Sequence, residues 1–298
     1  MKRRQFITNT ALTAIAFSAS GFIRFNGTFF EGDCETTTDI LGPFYRPDSP
    51  VRTNLVLPGD SGLLIELSGT IKHNDCVTPY KNAKIELWHC DGQGVYDNET
   101  EAYRYRATSF CNENGEYSFH TILPVPYDAG GGNFRPAHFH MMITAEGYQS
   151  LVTQLYFTGD EYIDNDMSAS APTARQRILE IQNLEDGSKK VTYNVNMAKK
   201  LLAETEVLNN LSGVYINEDE KDRNIEFFVK NNVLWMKGNP YGNNLDYVGN
   251  NTFRFPGLPN NMSFEILFEP LPSGSVKLIG TFTNEKGEKN IRIAIKRG

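Results

Sequence analysis

Short segments with the alternation and composition of β-strands, separated by turn residues, constrain the fold of this chain more than any other feature. The segments LLIELSGTIKH, AKIELWH, EYSFHTI and LVTQLYF resemble strands, and turn-rich stretches such as NDCVTPYKN and NENG lie among them. A new strand about every 10 residues is typical of a β-sandwich. Helical spacing occurs in TARQRILEIQNLE and in a second stub that ends near residues 201–204. We therefore predict a mainly β fold, with a β-sandwich over residues 21–205.

The pattern of strand-like segments and turn residues changes after residue 205. Segments such as LSGVYINE, NIEFFVKNNVLWMKGN, VKLIGTFTN and NIRIAIKRG have strand composition and are separated by Gly, Asn and Pro. Residues 206–298 are therefore predicted to form a small antiparallel, β-barrel-like domain. No His or Cys lies beyond residue 140, so the expected role of this domain is stability or association.

Residues 1–20 have the layout of an export signal. The start MKRRQFI carries three basic residues, a modest apolar run follows, and small residues end the stretch. The pair Arg3-Arg4 with apolar residues behind it resembles the twin-arginine class of signals. A short amphipathic helix is the alternative. The signal predicts that the protein is exported and is periplasmic or extracellular.

Charge and hydropathy exclude two kinds of partner. The formal net charge is −7 and no long Lys/Arg tract occurs, which argues against nucleic acid. No apolar run reaches about 18 residues, so we expect no stable membrane insertion once the signal has been removed. Hydrophobic residues make up 40% of the chain, which is enough for a substantial core. Composition leaves homo-oligomerisation open.

The four cysteines do not follow the spacing of zinc-binding motifs. A Cys76–Cys90 disulfide is disfavoured, because the predicted hairpin places one residue at its turn and the other at its far end. In an exported protein, pairing of Cys34 with Cys90 or with Cys111 stays open.

Two of the five histidines lie one residue apart in NFRPAHFHMM. In a strand, His138 and His140 share one face while Phe139 points the other way, and the two imidazoles are roughly 7 Å apart along the strand. Both imidazoles could bind the same metal ion. An isolated pair of this kind is about as often structural as functional, so the surrounding residues have to decide.

Tyr96 and Tyr127 are further candidate metal ligands. Tyr96 closes LWHCDGQGVY at the end of a predicted strand, and Tyr127 lies in the loop PVPYDAGGG before Arg135. A tyrosine hydroxyl titrates near about 10 and binds a metal only when a strongly charged ion removes its proton. Two phenolates beside two imidazoles therefore favour Fe(3+), because zinc and ferrous iron more often use Cys, His and carboxylate.

Four motifs occur in order along the chain: WHCDGQGVY, TILPVPY, RPAHFH and TQLYFTGD. Together they resemble the intradiol ring-cleavage dioxygenases, nearest to the protocatechuate 3,4-dioxygenase type. The segment ILGPFYRP near residue 43 is similar to the N-terminal part of the same family, and the resemblance spans residues 36–200. The Gly-rich loop DAGGGNF departs from the family pattern beside the pocket, so the identity of the substrate stays open.

The resemblance implies an enzyme that uses O2 to cleave a catechol-type aromatic diol between its two hydroxyl-bearing carbons. The product would be a cis,cis-muconate-type diacid. The implied ligands of Fe(3+) are Tyr96, Tyr127, His138 and His140.

The resemblance also implies roles for residues beside the metal. Arg135 would stabilise charge on the ring carbon that loses aromaticity, and Gln154 would lie next to it. Tyr127 would act in catalysis by leaving the metal when substrate binds. Ile40, Pro43 and Arg135 would line the substrate pocket.

Two alternatives remain open. An iron-free, transthyretin-like β-sandwich would be a binding module in which the tyrosines and histidines simply pack. A different metalloenzyme, such as a zinc hydrolase or a ferrous extradiol enzyme, would call for a carboxylate ligand, for which Asp91 is the nearest candidate. Among the other histidines, His89 is expected to be structural, and His73 and His120 are expected to be ordinary strand residues.

Overall fold

The computed structural model describes residues 16–18, 21–25, 30–32, 36–59, 62–218, 224–237, 245–255, 258, 262–284 and 286–297. The fold is mainly β, as predicted. The strands before residue 200 are β1 (Ala16–Ser18), β2 (Gly21–Phe25), β3 (Phe30–Gly32), β4 (Leu64–Lys72), β5 (Lys84–Trp88), β6 (Arg106–Phe110), β7 (Glu116–Ile122), β8 (Tyr127–Asp128), β9 (Phe134–Arg135), β10 (His138–Thr144), β11 (Leu151–Phe157), β12 (Ile178–Leu179), β13 (Gln182–Asn183), β14 (Lys189–Thr192) and β15 (Val195–Asn196). Two 3-10 helices, η1 (Ile163–Asn165) and η2 (Pro172–Arg177), lie between β11 and β12.

Two sheets form a sandwich in this part of the chain. One has the strand order β12-β11-β10-β5-β6, and in the other β4 pairs with β7, β14 and β15 while β13 pairs with β14. Strands of both sheets contribute to one buried core, which includes Leu67, Ile85, Phe119, Phe139 and Leu155. Each such side chain contributes about 1.5–3 kcal/mol to stability by leaving water. The predicted β-sandwich is confirmed.

Alternation along β10 decides where the candidate functional residues lie. Phe139, Met141 and Ile143 are buried in the core between the sheets. His138 and His140 are one residue out of step, so they lie on the opposite face of the sheet. Both are nevertheless only 1% exposed, because the chain that precedes β4 folds back over this face and packs beside Trp88 and the end of β5.

The helix predicted from TARQRILEIQNLE is wrong. The segment forms η2 and then the short strands β12 and β13. Ile178 and Leu179 extend the first sheet by pairing in parallel with Tyr156 and Phe157, and Arg177 is fully buried. Helical propensity is a weak preference that sheet pairing and a buried ion pair override.

The second predicted helical stub is also misplaced. Residues 201–204 are not helical, and helix α1 (Thr205–Leu211) begins directly after them. Leu208 and Leu211, three residues apart, are buried in the core of the C-terminal unit, whereas Leu201 and Leu202 are exposed. The helix forms where its apolar stripe has a core to contact.

The C-terminal unit is an antiparallel meander that curls into a barrel. Its strands are β16 (Gly213–Asn217), β17 (Asn224–Lys230), β18 (Val233–Met236), β19 (Asp246–Gly249), β20 (Thr252–Arg254), β21 (Ser263–Pro270), β22 (Val276–Thr283) and β23 (Lys289–Lys296). Consecutive strands pair, except β18 and β19, which end the sheet order, and β16 pairs with β23. Between β18 and β19, the N–H of Leu245 donates to the carbonyl oxygen of Leu234 at 2.9 Å. The interior is filled by its own aromatic and aliphatic core, which includes Tyr215, Phe227 and Phe268. The predicted β-barrel-like domain is confirmed.

The predicted export signal over residues 1–20 lies outside the described residues, apart from strand β1. Strands β1, β2 and β3 form a small antiparallel sheet. Among the described residues, no helix is long and apolar enough to cross a membrane.

The structure corrects the disulfide expectations. Cys76 forms a disulfide, whereas Cys90 and Cys111 are buried free thiols. The absence of a Cys76–Cys90 bond is confirmed, and both pairings left open for Cys34 are wrong. The thiols of Cys90 and Cys111 instead lie 3.5 Å from the carbonyl oxygen of Val125 and 3.0 Å from that of Tyr80. Cys34 itself is outside the described residues.

Candidate metal centre

The imidazoles of His138 and His140 converge on one point. The Nδ1 atom of His138 donates a hydrogen bond to the carbonyl oxygen of Pro136 at 2.6 Å, so Nε2 of the neutral ring carries the free lone pair. The Nε2 atoms of the two histidines are 3.1 Å apart. Two nitrogens bound to one ion at about 2.1 Å and at a right angle would be about 3.0 Å apart. The two rings therefore have the spacing of a shared metal ligand pair.

Neighbouring residues fix the plane of the His140 ring. Trp88 is its register partner on β5, and the two rings stack with centroids 4.9 Å apart and planes 7° apart. On the N-terminal segment, Gly42 has a φ of +73°, and a Cβ there would lie 3.0 Å from Cε1 of His140. A side chain at position 42 would be strained and would press on the ring, so glycine is needed at this position.

Tyr96 and Tyr127 complete the cluster. The hydroxyl of Tyr96 is 3.4 Å from Nε2 of His138, and its ring stacks on Phe44 at 4.3 Å. The ring of Tyr127 lies 5.6 Å from that of Tyr96 and 5.7 Å from that of His138. Tyr96 is buried whereas Tyr127 is half-buried. The four residues predicted as metal ligands are thus brought together.

The electrostatics of the cluster fit a strongly charged cation. Burial, with the nearby charge of Arg135, lowers the pKa of His138 to about 3, and burial together with His138 lowers that of His140 well below its usual value. Burial also raises the pKa of Tyr96 and of Tyr127. The imidazoles therefore stay neutral and keep their lone pairs, and the phenols become anionic only beside a cation.

The carboxylate ligand expected for the zinc and ferrous alternatives is not found beside the histidines among the described residues. Within the described ranges, no group of three or more His, Cys, Asp and Glu side chains could hold a metal ion. The carboxylate of Asp91, the nearest candidate, instead accepts hydrogen bonds from the N–H groups of Gln93 and Val95, both at 2.9 Å. It builds the turn that leads from β5 to Tyr96. Two phenols with two imidazoles suit ferric iron better.

Arg135 is held beside the cluster by residues from a different strand and loop. It lies on β9 opposite Tyr127. Its Nη2 donates to Oε1 of Gln154 at 3.0 Å, and its Nε donates to Oδ2 of Asp166 at 2.8 Å. Burial alone would lower the pKa of Arg135, but the hydrogen bond to Asp166 raises it above its usual value. The guanidinium is therefore a fixed positive charge.

The predicted pocket residues lie in the segment that covers the histidines. The carbonyl oxygen of Ile40 accepts a hydrogen bond from Nε2 of Gln154 at 2.8 Å. Pro43 is exposed and stands between Gly42 and Phe44, which contact two of the predicted ligands. The structure thus places both residues near the cluster, and their contact with substrate stays a prediction.

Several buried residues of this region were missed by the sequence reasoning. Besides Asp166, the hydroxyl of Tyr156 donates to Asp39 at 2.9 Å, and Arg177 forms a buried ion pair with Asp39. The Tyr156 hydroxyl oxygen also lies 3.0 Å from Oε1 of Gln154. No local motif marks Asp39 or Asp166, because they are 117 and 31 positions along the chain from Tyr156 and Arg135, which they contact.

The remaining histidines are structural. His89 is buried, with Nε2 2.8 Å from Oγ1 of Thr121 and Nδ1 2.7 Å from the carbonyl oxygen of Cys90, which confirms its predicted role. His120 is an exposed residue of β7, as predicted. His73 is not in a strand, because β4 ends one residue earlier and its ring packs on Tyr80 and Tyr148.

Comparisons with known proteins cover the same part of the chain. Residues 40–199 match a protein-family model described as dioxygenase. The chain is similar to chlorocatechol 1,2-dioxygenase of Rhodococcus opacus, at 34% identity over 154 residues that cover 44% of this chain and 60% of the relative. It is also similar to catechol 1,2-dioxygenase of Candida albicans, at 32% identity over 154 residues that cover 44% of this chain and 50% of the relative. The matched regions thus span only 50% to 60% of these two relatives.

A solved structure shows the same fold. The crystal structure of 3-chlorocatechol 1,2-dioxygenase from Rhodococcus opacus matches with a TM-score of 0.50 and 24% identity, and the match covers 55% of this chain and 72% of the other.

Proposed function

This chain belongs to the intradiol ring-cleavage dioxygenase family, and on that premise we propose that it cleaves a catechol-type aromatic diol with O2 between the two hydroxyl-bearing carbons. The proposed cofactor is Fe(3+), and the proposed product is a cis,cis-muconate-type diacid. The observation that carries the proposal is the convergence of two neutral imidazoles, with Nε2 atoms 3.1 Å apart, on the buried phenol of Tyr96 and the half-buried phenol of Tyr127. The relatives carry catechol and chlorocatechol names, so the family is supported but the predicted protocatechuate type is not singled out.

The four cluster residues would hold the metal. When bound, ferric iron would supply the positive charge that lets the two phenols and a diol lose their protons. Tyr96 is buried and stacked on Phe44, so it is suited to stay in place. Tyr127 is half-buried on the short hairpin of β8 and β9, so it is the phenol suited to move away. Its oxygen would then accept a proton from the incoming diol.

Arg135 would stabilise the charge that develops on the ring. A fixed guanidinium in a site shielded from water acts more strongly than one in bulk solvent, and it needs no reorganisation during the reaction. Gln154 connects two parts of the site. Its Oε1 accepts from the guanidinium of Arg135, and its Nε2 donates to the backbone carbonyl oxygen of Ile40. The pocket segment and the catalytic charge are thereby held together.

The proposed reaction is tested by the product. Iron-loaded protein should consume one O2 per diol and give a colourless muconate-type diacid with at least one of catechol, chlorocatechol, hydroxyquinol and protocatechuate. Mass and absorbance of the product distinguish this outcome from cleavage beside the diol. A yellow semialdehyde would contradict the proposal, even if the histidines bind iron.

Tyr96→Phe is expected to change the colour of the iron-loaded protein. Absorption from tyrosinate to ferric iron depends on the phenolate donors, so the visible band should weaken and shift when one donor is lost. Tyr80→Phe is the matched control, because Tyr80 packs against His73 at the opposite end of β5 from Trp88. Identical visible spectra for Tyr96→Phe and the wild-type protein would show that Tyr96 is not a ligand.

We also propose that residues 1–20 direct export through a twin-arginine route, on the evidence of the start MKRRQFI. Changing both Arg3 and Arg4 to lysine should prevent most export, because this class of signal depends on the arginine pair. Cell fractionation followed by immunoblotting measures the result. Lys2→Arg preserves the pair and should be exported normally. Normal export of the double variant would leave a general secretory signal as the better account.

A further inference from the structure

Both oxygens of the Asp166 carboxylate accept hydrogen bonds beside the candidate active site. Its Oδ2 accepts from Nε of Arg135 at 2.8 Å, and its Oδ1 accepts from Nη2 of Arg135 at 3.2 Å. The N–H groups of Ser168 and Ala169 also donate to Oδ1, at 2.9 and 2.8 Å. The residue is only 4% exposed. A carboxylate fixed by two backbone donors thus receives the guanidinium in a two-point contact, the geometry that best defines its orientation. We call this contact between Asp166 and Arg135 the clamp.

A further contact of the guanidinium supports the same orientation. Nη2 of Arg135 also donates to Oε1 of Gln154 at 3.0 Å. Asp166 and Gln154 therefore engage Nε and Nη2, and Nη2 also lies 3.5 Å from the hydroxyl oxygen of Tyr156.

Arg135 needs such an anchor because its own backbone is weakly supported. It lies on a hairpin of two two-residue strands, β8 and β9, opposite Tyr127. The connecting residues 129–133 are exposed and include three glycines with positive φ. A two-stranded hairpin of this length has little stability of its own. Asp166 follows η1, outside the hairpin, and so fastens the hairpin to the rest of the sandwich.

We propose that Asp166 is a positioning residue for ring cleavage, which holds the guanidinium of Arg135, and with it the Tyr127–Arg135 hairpin, in the geometry that the reaction requires. This inference rests on the proposed function. Asp166 touches neither substrate nor metal in this role and acts through Arg135. Because a displacement of about 1 Å at a positioned group slows catalysis up to about a hundredfold, loss of the clamp should reduce turnover more than it weakens diol binding.

The direct test is Asp166→Asn. The amide oxygen can still accept from Ser168 and Ala169, but the amide group carries no charge and its N–H opposes the guanidinium. We expect kcat to fall by about 10- to 100-fold, with KM within about threefold. Asp164→Asn is the matched control, because Asp164 is exposed two residues away. Equal kcat for the two variants would overturn the proposal.

A double-variant cycle tests whether Asp166 acts through Arg135. In an Arg135→Met background, Asp166→Asn should change kcat by less than about twofold, because the group that it positions is already absent. A full 10- to 100-fold loss in that background would show that Asp166 acts independently and would overturn the positioning role. If Asp166→Asn fails to fold alone, Asp166→Glu keeps the charge and displaces it. A wild-type kcat for that variant would also contradict the proposal.

Hydrogen exchange gives a readout that does not depend on activity. In metal-free protein, Asp166→Asn should speed amide exchange in residues 127–135 by about tenfold, and Asp164→Asn should not. If wild-type protein cleaves no diol, the proposed function fails while this measurement still tests the clamp. If wild-type protein is active and exchange in the hairpin is unchanged by Asp166→Asn, the clamp itself is refuted.

Discussion

Replacing His140 with alanine is expected to lower the affinity for ferric iron by more than about 100-fold and to abolish ring cleavage. Loss of a residue that merely supports a metal ligand typically weakens binding by about 10- to 100-fold, and His140 would contact the metal directly. His138→Ala should have the same effect, because the two Nε2 atoms lie only 3.1 Å apart and would share one ion. Iron content of the purified variants and the visible band measure the loss.

His120→Ala is the matched control for both histidine variants. His120 is an exposed histidine on β7 of the same domain, so its removal should leave iron content and activity unchanged. Thermal unfolding of the metal-free proteins should show that all three variants are folded. Full iron content in both His138→Ala and His140→Ala would refute the assignment of the metal centre.

Arg135→Met is expected to lower kcat by about 10²- to 10³-fold, the usual effect of removing one group that stabilises charge in a transition state. Methionine keeps much of the aliphatic volume, so the substitution removes mainly the charge and its hydrogen bonds. KM for the diol should change much less, because the contact strengthens as negative charge develops on the ring. Steady-state kinetics on iron-loaded protein separate the two parameters.

Arg175→Met controls for the loss of a positive charge in this domain. Arg175 is exposed on η2, so both kinetic parameters should remain at wild-type values. A rise in KM at unchanged kcat for Arg135→Met would show that Arg135 only binds substrate. The visible band of Arg175→Met should match the wild-type band, since Arg175 is exposed on η2 and is not a proposed ligand.

The fold class and the four candidate metal ligands could be predicted from the sequence because both depend on short-range patterns. A side-chain period of two places His138 and His140 on one face of β10 whatever the rest of the chain does. Tyr96 and Tyr127 were identified by their chemistry and by the motifs around them, and the structure brings their rings to within 5.6 Å of one another.

The sequence alone did not determine where helices form late in the first domain. TARQRILEIQNLE has helical spacing, yet Ile178 and Leu179 pair with the edge of β11. A helical preference is weak, at most about 0.7 kcal/mol per residue, and the segment instead satisfies its backbone by pairing with β11 while Asp39 pairs with the buried Arg177.

Only the tertiary structure decided which residues support the site. Asp166 is 31 positions from Arg135, and Gln154 is 114 positions from the carbonyl group of Ile40 that it contacts. Nothing in the residues next to Asp166 distinguishes it from Asp164, which is exposed. Its role depends on the packing of the loop after β11 against the β8–β9 hairpin. A carboxylate acquires a partner through position in space, whereas the face on which a strand residue lies is set by its neighbours in the sequence.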